Sequence, residues 1–162
     1  MAVSLISKVC NSPLFKSRVL NHVWQGKFQF SSTNLTNEQV YEKFMKGRQV
    51  GDKEDDFEMD IDLTGYRART NTIGYTYPSV VGTWLNKKFL DWYTPANVCG
   101  NVSHEYCHKI GFSHDYAWTK QRAHSVPYAI GYMIEEVAEV YVNAKYDDKV
   151  LGYNLEKGKV TA

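Results

Sequence analysis

Apolar and polar residues alternate over Val19–Phe30, which ends in KFQFSS, and that period of two predicts a strand. The next stretch, TNEQVYEKFMKG, changes to helical spacing. Thr36 suits the N-cap, Gln39 completes a capping box three residues on, and Gly47 is a natural stop, so a helix is expected over Asn37–Lys46. After a charged loop, Phe57, Met59, Ile61 and Leu63 alternate with acidic residues and read as a strand with one buried face. TNTIGYTYP predicts a third strand ending at Pro78, and GTWLNKKFLDWY a fourth, with PSVVG as the loop between them.

From Ala96 the period becomes helical. Val98, Val102, Tyr106 and Ile110 fit a helix that begins after Pro95 and ends at Gly111. In SVPYAIGYMIEEVAEVYVNAKY, Ile130, Met133, Ile134, Val137, Ala138 and Tyr141 recur at helical spacing, with Glu135, Glu136 and Glu139 on or near the other face. The order strand, helix, three strands, helix, helix predicts an α+β fold with a small mixed sheet of about four to five strands. At 162 residues the chain is expected to be a single domain over 1–162, with residues 1–18 and 146–162 as peripheral extensions.

Composition narrows the function classes. An apolar fraction of 43% with 14% aromatics excludes a disordered chain, and no apolar run approaches membrane-spanning length. The net charge of +1 and the scattered lysines and arginines give no reason to expect nucleic acid as a partner. Cys10, Cys99 and Cys107 form no disulfide-like framework, which favours a reducing compartment. The N-terminal MAVSLISKVC lacks the long apolar region of a secretory signal. A cytoplasmic location is expected, with association with a virus particle or release by an unconventional route left open.

One stretch carries chemistry: HEYCHKIGFSHD, residues 104–115. His104 and His108 are four apart, so on a helix their rings project from one face and can converge on one ion. Glu105 stands beside the first of them, where a carboxylate can reach a water on that ion without binding it. A straight helix cannot deliver His114. Gly111 can end the helix at positive φ and turn the chain so that His114 returns. Three imidazoles leave a coordination position for water, the arrangement of a catalytic rather than a structural zinc.

The full pattern HExxHxxGxxH followed by Asp115 resembles the metzincin clan of zinc metallopeptidases. The resemblance implies a zinc ion held by His104, His108 and His114, with Glu105 as general base for peptide hydrolysis. It further implies an active-site helix followed by a last helix. It also implies an antiparallel edge strand that binds substrate in extended form just before the active-site helix. TWLNKKFL, about Thr83 to Leu90, occupies that place and is expected to bind a protein or peptide substrate by strand addition. The family's methionine turn beneath the zinc is matched imperfectly. Placing it at HSVPYAIG aligns Tyr128 with the family's tyrosine, a candidate donor to the oxyanion, but puts Val126 where methionine is expected. Met133, the only methionine downstream, then becomes a core residue of the last helix.

Other candidates have plainer readings. Asp115 is expected to anchor the chain after the third ligand. Cys107 and Cys99 read as buried thiols, and the residues around Cys10 do not match an inhibitory propeptide cysteine. His22 and His124 read as surface or satisfied core histidines. KEDDFEMDID lacks the glycine and terminal glutamate of a calcium loop and reads as a solvated acidic face. The rival to a peptidase is a catalytically silent, zinc-stabilised binding or structural module of a larger assembly.

Overall fold

A computed structural model describes residues 2–143, together with the backbone of 153–154 and 159–160. The fold is mixed α+β, with seven helices and small sheets of two and three strands. Helix α1 (Ala2–Cys10) buries Leu5, Ile6, Val9 and Cys10 along one face. Helix α2 (Pro13–Leu20) starts where Ser12 caps it, accepting from the Phe15 N–H at 3.1 Å, with Pro13 at the first helical position. Phe15 and Val19 face inward from it.

The expectation that residues 1–18 are peripheral is therefore corrected: α1 and α2 supply a wall of the core. The strand expected over Val19–Phe30 is also corrected. α2 runs to Leu20, and the segment after it is a hairpin of β1 (Val23–Trp24) and β2 (Lys27–Phe28). Its turn residues Gln25 and Gly26 have φ of 51° and 74°, the two-residue geometry that matches strand twist.

Helix α3 (Asn37–Met45) forms as its caps dictate: Thr36 and Gln39 make the reciprocal capping box, and Gly47 takes positive φ after the last turn. The main sheet has three strands, fewer than the four to five expected. It is built from β3 (Asp62–Tyr66), β4 (Gly74–Thr76) and β5 (Gly82–Asn86), in the order β3-β5-β4. β5 pairs parallel with β3 and antiparallel with β4. Phe57, Met59 and Ile61 precede the strand they were expected to form, and Phe57 is exposed at positive φ.

The sheet order overturns a further expectation. Thr83–Leu90 is not an edge strand. β5 is paired on both sides, and the chain after Asn86 turns at once into helix α4 (Lys87–Leu90). Asn86 is fully buried and enforces that turn. Its amide donates to the carbonyls of Ala68 and Thr72, and its oxygen accepts from the N–H groups of Ala68 and Lys88. The antiparallel edge strand is β4.

Helix α5 (Pro95–Lys109) begins at a second capping box, Thr94 with Asn97, and carries Pro95 at its first position. A short α6 (Lys120–Ala123) leads to α7 (Val126–Asn143), which packs along α5 more extensively than any other pair of elements. Gly100 and Gly131 meet where the two helices cross. The apolar face of α7 (Ile130, Met133, Ile134, Val137, Ala138 and Tyr141) is buried as its spacing predicts. The expected extension of this helix to Tyr146 and the C-terminal segment 146–162 lie outside the described residues, apart from a backbone pairing of β6 (Tyr153–Asn154) with β7 (Lys159–Val160). No described helix is long and apolar enough to cross a membrane.

Candidate metal centre

α5 presents His104 and His108 one turn apart, and the chain's return brings His114 to them. The ring centroids make a nearly equilateral triangle, with His104–His108 at 5.1 Å, His104–His114 at 5.2 Å and His108–His114 at 5.0 Å. One ring nitrogen from each lies within 4.8 Å of the others.

The return is built locally. Gly111 sits at φ +97°, its N–H donating to the His108 carbonyl at 3.1 Å, and the Phe112 N–H donates to the Cys107 carbonyl at 2.9 Å. These are the two bonds of a Schellman cap, with glycine at the position that needs positive φ. Buried Phe112 anchors the reversed chain.

The cap also orients a ring. The Phe112 carbonyl accepts from His108 Nδ1 at 2.9 Å, and the Asp115 carbonyl accepts from His114 Nδ1 at 2.9 Å. His104 turns its Nε2 toward His108 Nε2, 3.3 Å away. A carbonyl only accepts, so Nδ1 of His108 and Nδ1 of His114 carry the hydrogen and their Nε2 atoms offer lone pairs. Ring nitrogens from three histidines gathered this closely suit a cation among them. Two nitrogens held tetrahedrally by zinc at about 2.0–2.1 Å lie about 3.3 Å apart, the separation found between His104 and His108. The donor set thus fits a tetrahedral divalent ion with one position open.

The surroundings favour neutral rings. Burial, with His108, His114 and Arg122 adding to it, pushes His104 down to about 3, and burial likewise lowers His108. Glu105, next to His104, is only 5% exposed. Burial pushes its carboxyl up to about 7, against the pull of the Lys109 ammonium. Lys109 is itself buried and donates from Nζ to the Val81 carbonyl at the start of β5.

Tyr128, in the first turn of α7, lies edge-on to two of the histidines, with ring centroids 4.5 Å from His104 and 4.8 Å from His114. Val126 begins that helix and Met133 lies buried inside it. Asp115 contributes its main-chain carbonyl to His114.

The remaining candidates fall outside the cluster. Cys10, Cys99 and Cys107 are buried and unbridged; burial pushes the thiols of Cys10 to about 12 and Cys99 to about 11, and raises Cys107. His22 and His124 bond to each other at 3.1 Å. Asp52, Asp56 and Asp60 come together in the acidic loop. There Asp52 accepts from the Gln49 N–H and Asp56 from the Glu58 N–H, which shapes the loop itself.

Sequence reasoning missed three features. Arg122 donates to the Tyr128 hydroxyl, and nothing in the local pattern marks it. The Phe112 carbonyl is invisible because it is main chain. Gly100 and Gly131 did carry a signal: a lone glycine inside a helical pattern costs about 1 kcal/mol and so points to close packing. Compared with known protein families, curated proteins and solved structures, the chain matches none.

Proposed function

We propose that the chain is a zinc-dependent peptidase, with His104, His108 and His114 holding the ion and Glu105 acting as base. The observation that carries this reading is the convergence of three histidine rings, two of them oriented by an Nδ1 bond to a main-chain carbonyl, with the buried Glu105 on the same helix. A structural site has no use for that carboxylate. When bound, zinc supplies a Lewis acid that polarises the scissile carbonyl and acidifies water. Glu105 accepts the proton of the attacking water and delivers it to the leaving amine. Tyr128 offers a hydroxyl at the same cluster for the oxygen that gains negative charge.

The peptide binds along β4. That strand is antiparallel, is unpaired on its outer side among the described residues, and packs against α5, the helix that carries His104 and His108, so an extended peptide can add to it. The three unbridged cysteines suit a reducing, cytoplasmic setting.

Metal analysis of the purified chain, with cleavage of a diverse peptide library by wild type and Glu105→Gln, tests the reading. One zinc per chain and cleavage abolished in the variant are expected. Sub-stoichiometric zinc after supplementation overturns the metal assignment. Zinc without cleavage moves the protein to the silent binding module.

A further inference from the structure

Arg122 stands beside the histidine cluster without being able to hold a cation. It lies on α6, where Thr119 caps the helix by accepting from the Arg122 N–H at 3.2 Å. Its guanidinium carbon is 4.1 Å from the Trp118 ring centroid and 4.7 Å from that of Tyr128. Nη1 donates to the Tyr116 carbonyl at 2.7 Å, and Nη2 donates to the Tyr128 hydroxyl oxygen. Nε is buried without a hydrogen-bond partner.

A guanidinium has five donors and no acceptor. The Tyr128 oxygen therefore accepts from Arg122, and the phenol's own hydrogen must point to something else. The ring lies against His104 and His114, and no described residue accepts that hydrogen. The orphaned Nε argues against a purely stabilising role. An unsatisfied buried donor works against folding, and an apolar side chain could fill the space between Trp118 and Tyr128 without that penalty.

We propose that Arg122 is a positioning residue that holds the Tyr128 hydroxyl with its hydrogen free for the oxyanion of the peptide. The inference rests on the peptidase reading above. As the water oxygen bonds to the carbonyl carbon, the C=O π pair moves onto the oxygen. Tyr128 donates a hydrogen bond to that oxygen and keeps its proton, while Glu105 takes the proton of the water. Collapse restores the C=O and breaks the C–N bond.

The test is a double-mutant cycle on the full chain: wild type, Arg122→Met, Tyr128→Phe and the double variant. The first readout is binding of acetohydroxamate to the cobalt-loaded protein, followed by its visible absorption; it needs no turnover. Each single variant is expected to weaken binding about tenfold, and the double variant no more than either single one. On peptide, kcat falls about ten- to hundredfold in each with KM within twofold, and Arg122→Lys recovers part of the loss. Effects that multiply in the double variant, or an Arg122→Met protein that binds acetohydroxamate like wild type, overturn the proposal. If Arg122→Met does not fold, Arg122→Lys and Arg122→Gln complete the cycle. A protein that binds cobalt and acetohydroxamate but cleaves no peptide ends the peptidase reading, while the coupling still decides Arg122. A protein that takes up no cobalt overturns both.

Discussion

A Cβ on Gly131 would stand 3.0 Å from the carbonyl oxygen of Gly100 and 3.3 Å from His104 Cβ. The crossing of α5 and α7 is thus a close approach of two backbones, and His104, the first histidine of the cluster, lies at that crossing. Alanine at 131 gains about 1 kcal/mol of helix propensity but meets a carbonyl that cannot move without parting the helices. Overpacking of this kind costs about 1–3 kcal/mol, so Gly131→Ala is expected to be net destabilising, with Tm lower by a few degrees. Because His104 touches Gly131 and Tyr128 sits one turn from it, zinc affinity and peptide cleavage should fall with it. A Tm at or above wild type would contradict the close crossing.

Zinc should stabilise the folded chain through the histidines alone. At a free concentration about 100-fold above Kd the gain is about 2.7 kcal/mol, or a Tm rise of about 5–10 °C for a chain of this size. Scanning calorimetry with zinc and with a chelator measures it. His104→Ala, His108→Ala and His114→Ala should each lose most of the shift. If a variant of the acidic loop such as Asp56→Asn lost it instead, the ion would lie elsewhere.

Gly111 separates backbone strain from crowding. Its nearest neighbour to an added Cβ is Lys43 Nζ at 3.5 Å, ordinary contact, so Gly111→Ala meets a cost from φ +97° alone, about 1–2 kcal/mol. Gly111→Asn should lose less. Since the turn both delivers His114 and orients His108, zinc affinity should fall further than stability does. Isothermal titration beside denaturant unfolding distinguishes the two effects.

His22 gives the fold an acid-sensitive point outside the metal cluster. Burial, reinforced by His124, lowers its pKa from 6.5 to about 4. Above pH 6.5 neither the folded nor the unfolded chain protonates it. Between 6.5 and 4 the unfolded chain takes up a proton that the folded chain refuses, so stability falls as pH falls and the loss is complete below about pH 4. Allowing for partial exposure, the effect is of order 2 kcal/mol. His22→Asn should flatten the difference between pH 7 and pH 4 relative to wild type at equal metal loading. An unchanged slope would remove His22 from the account.

Residues 2–20 should be indispensable. Leu5, Ile6, Val9, Phe15 and Val19 are at most 4% exposed, and each buried side chain contributes about 1.5–3 kcal/mol. Together they rival the roughly 5–15 kcal/mol stability of a whole domain. Deleting 1–20 is expected to abolish the cooperative melt seen by circular dichroism, and Phe15→Ala to cost about 3–5 kcal/mol.

The ligands were legible because helix periodicity and one glycine determine where their side chains go. The α3 and α5 stops and the α7 face followed from the same local rules. What failed was context. Phe57, Met59 and Ile61 alternate, yet no neighbouring strand pairs with them where they lie, and alternation without a partner is not a strand. Thr83–Leu90 looked continuous, but the side chain of Asn86 bonds a loop 14–18 residues earlier and bends the chain there. Residues 1–20 offered no motif, although Leu5, Ile6 and Val9 already lie at helical spacing. Arg122 lies far from His104 along the chain, and only the packing of α7 on α5 brings it near.

The bonds from Nδ1 of His108 and of His114 to main-chain carbonyls have a consequence for exchange. Folding itself fixes the tautomer and rotation of those two imidazoles before any ion arrives, so the cluster behaves as a socket rather than as a nucleus on which the chain condenses. Stripping the ion should leave the rings standing, and one divalent metal should replace another without refolding. Which ion the chain carries would then be set by supply and by ligand chemistry, with little say from the fold around it.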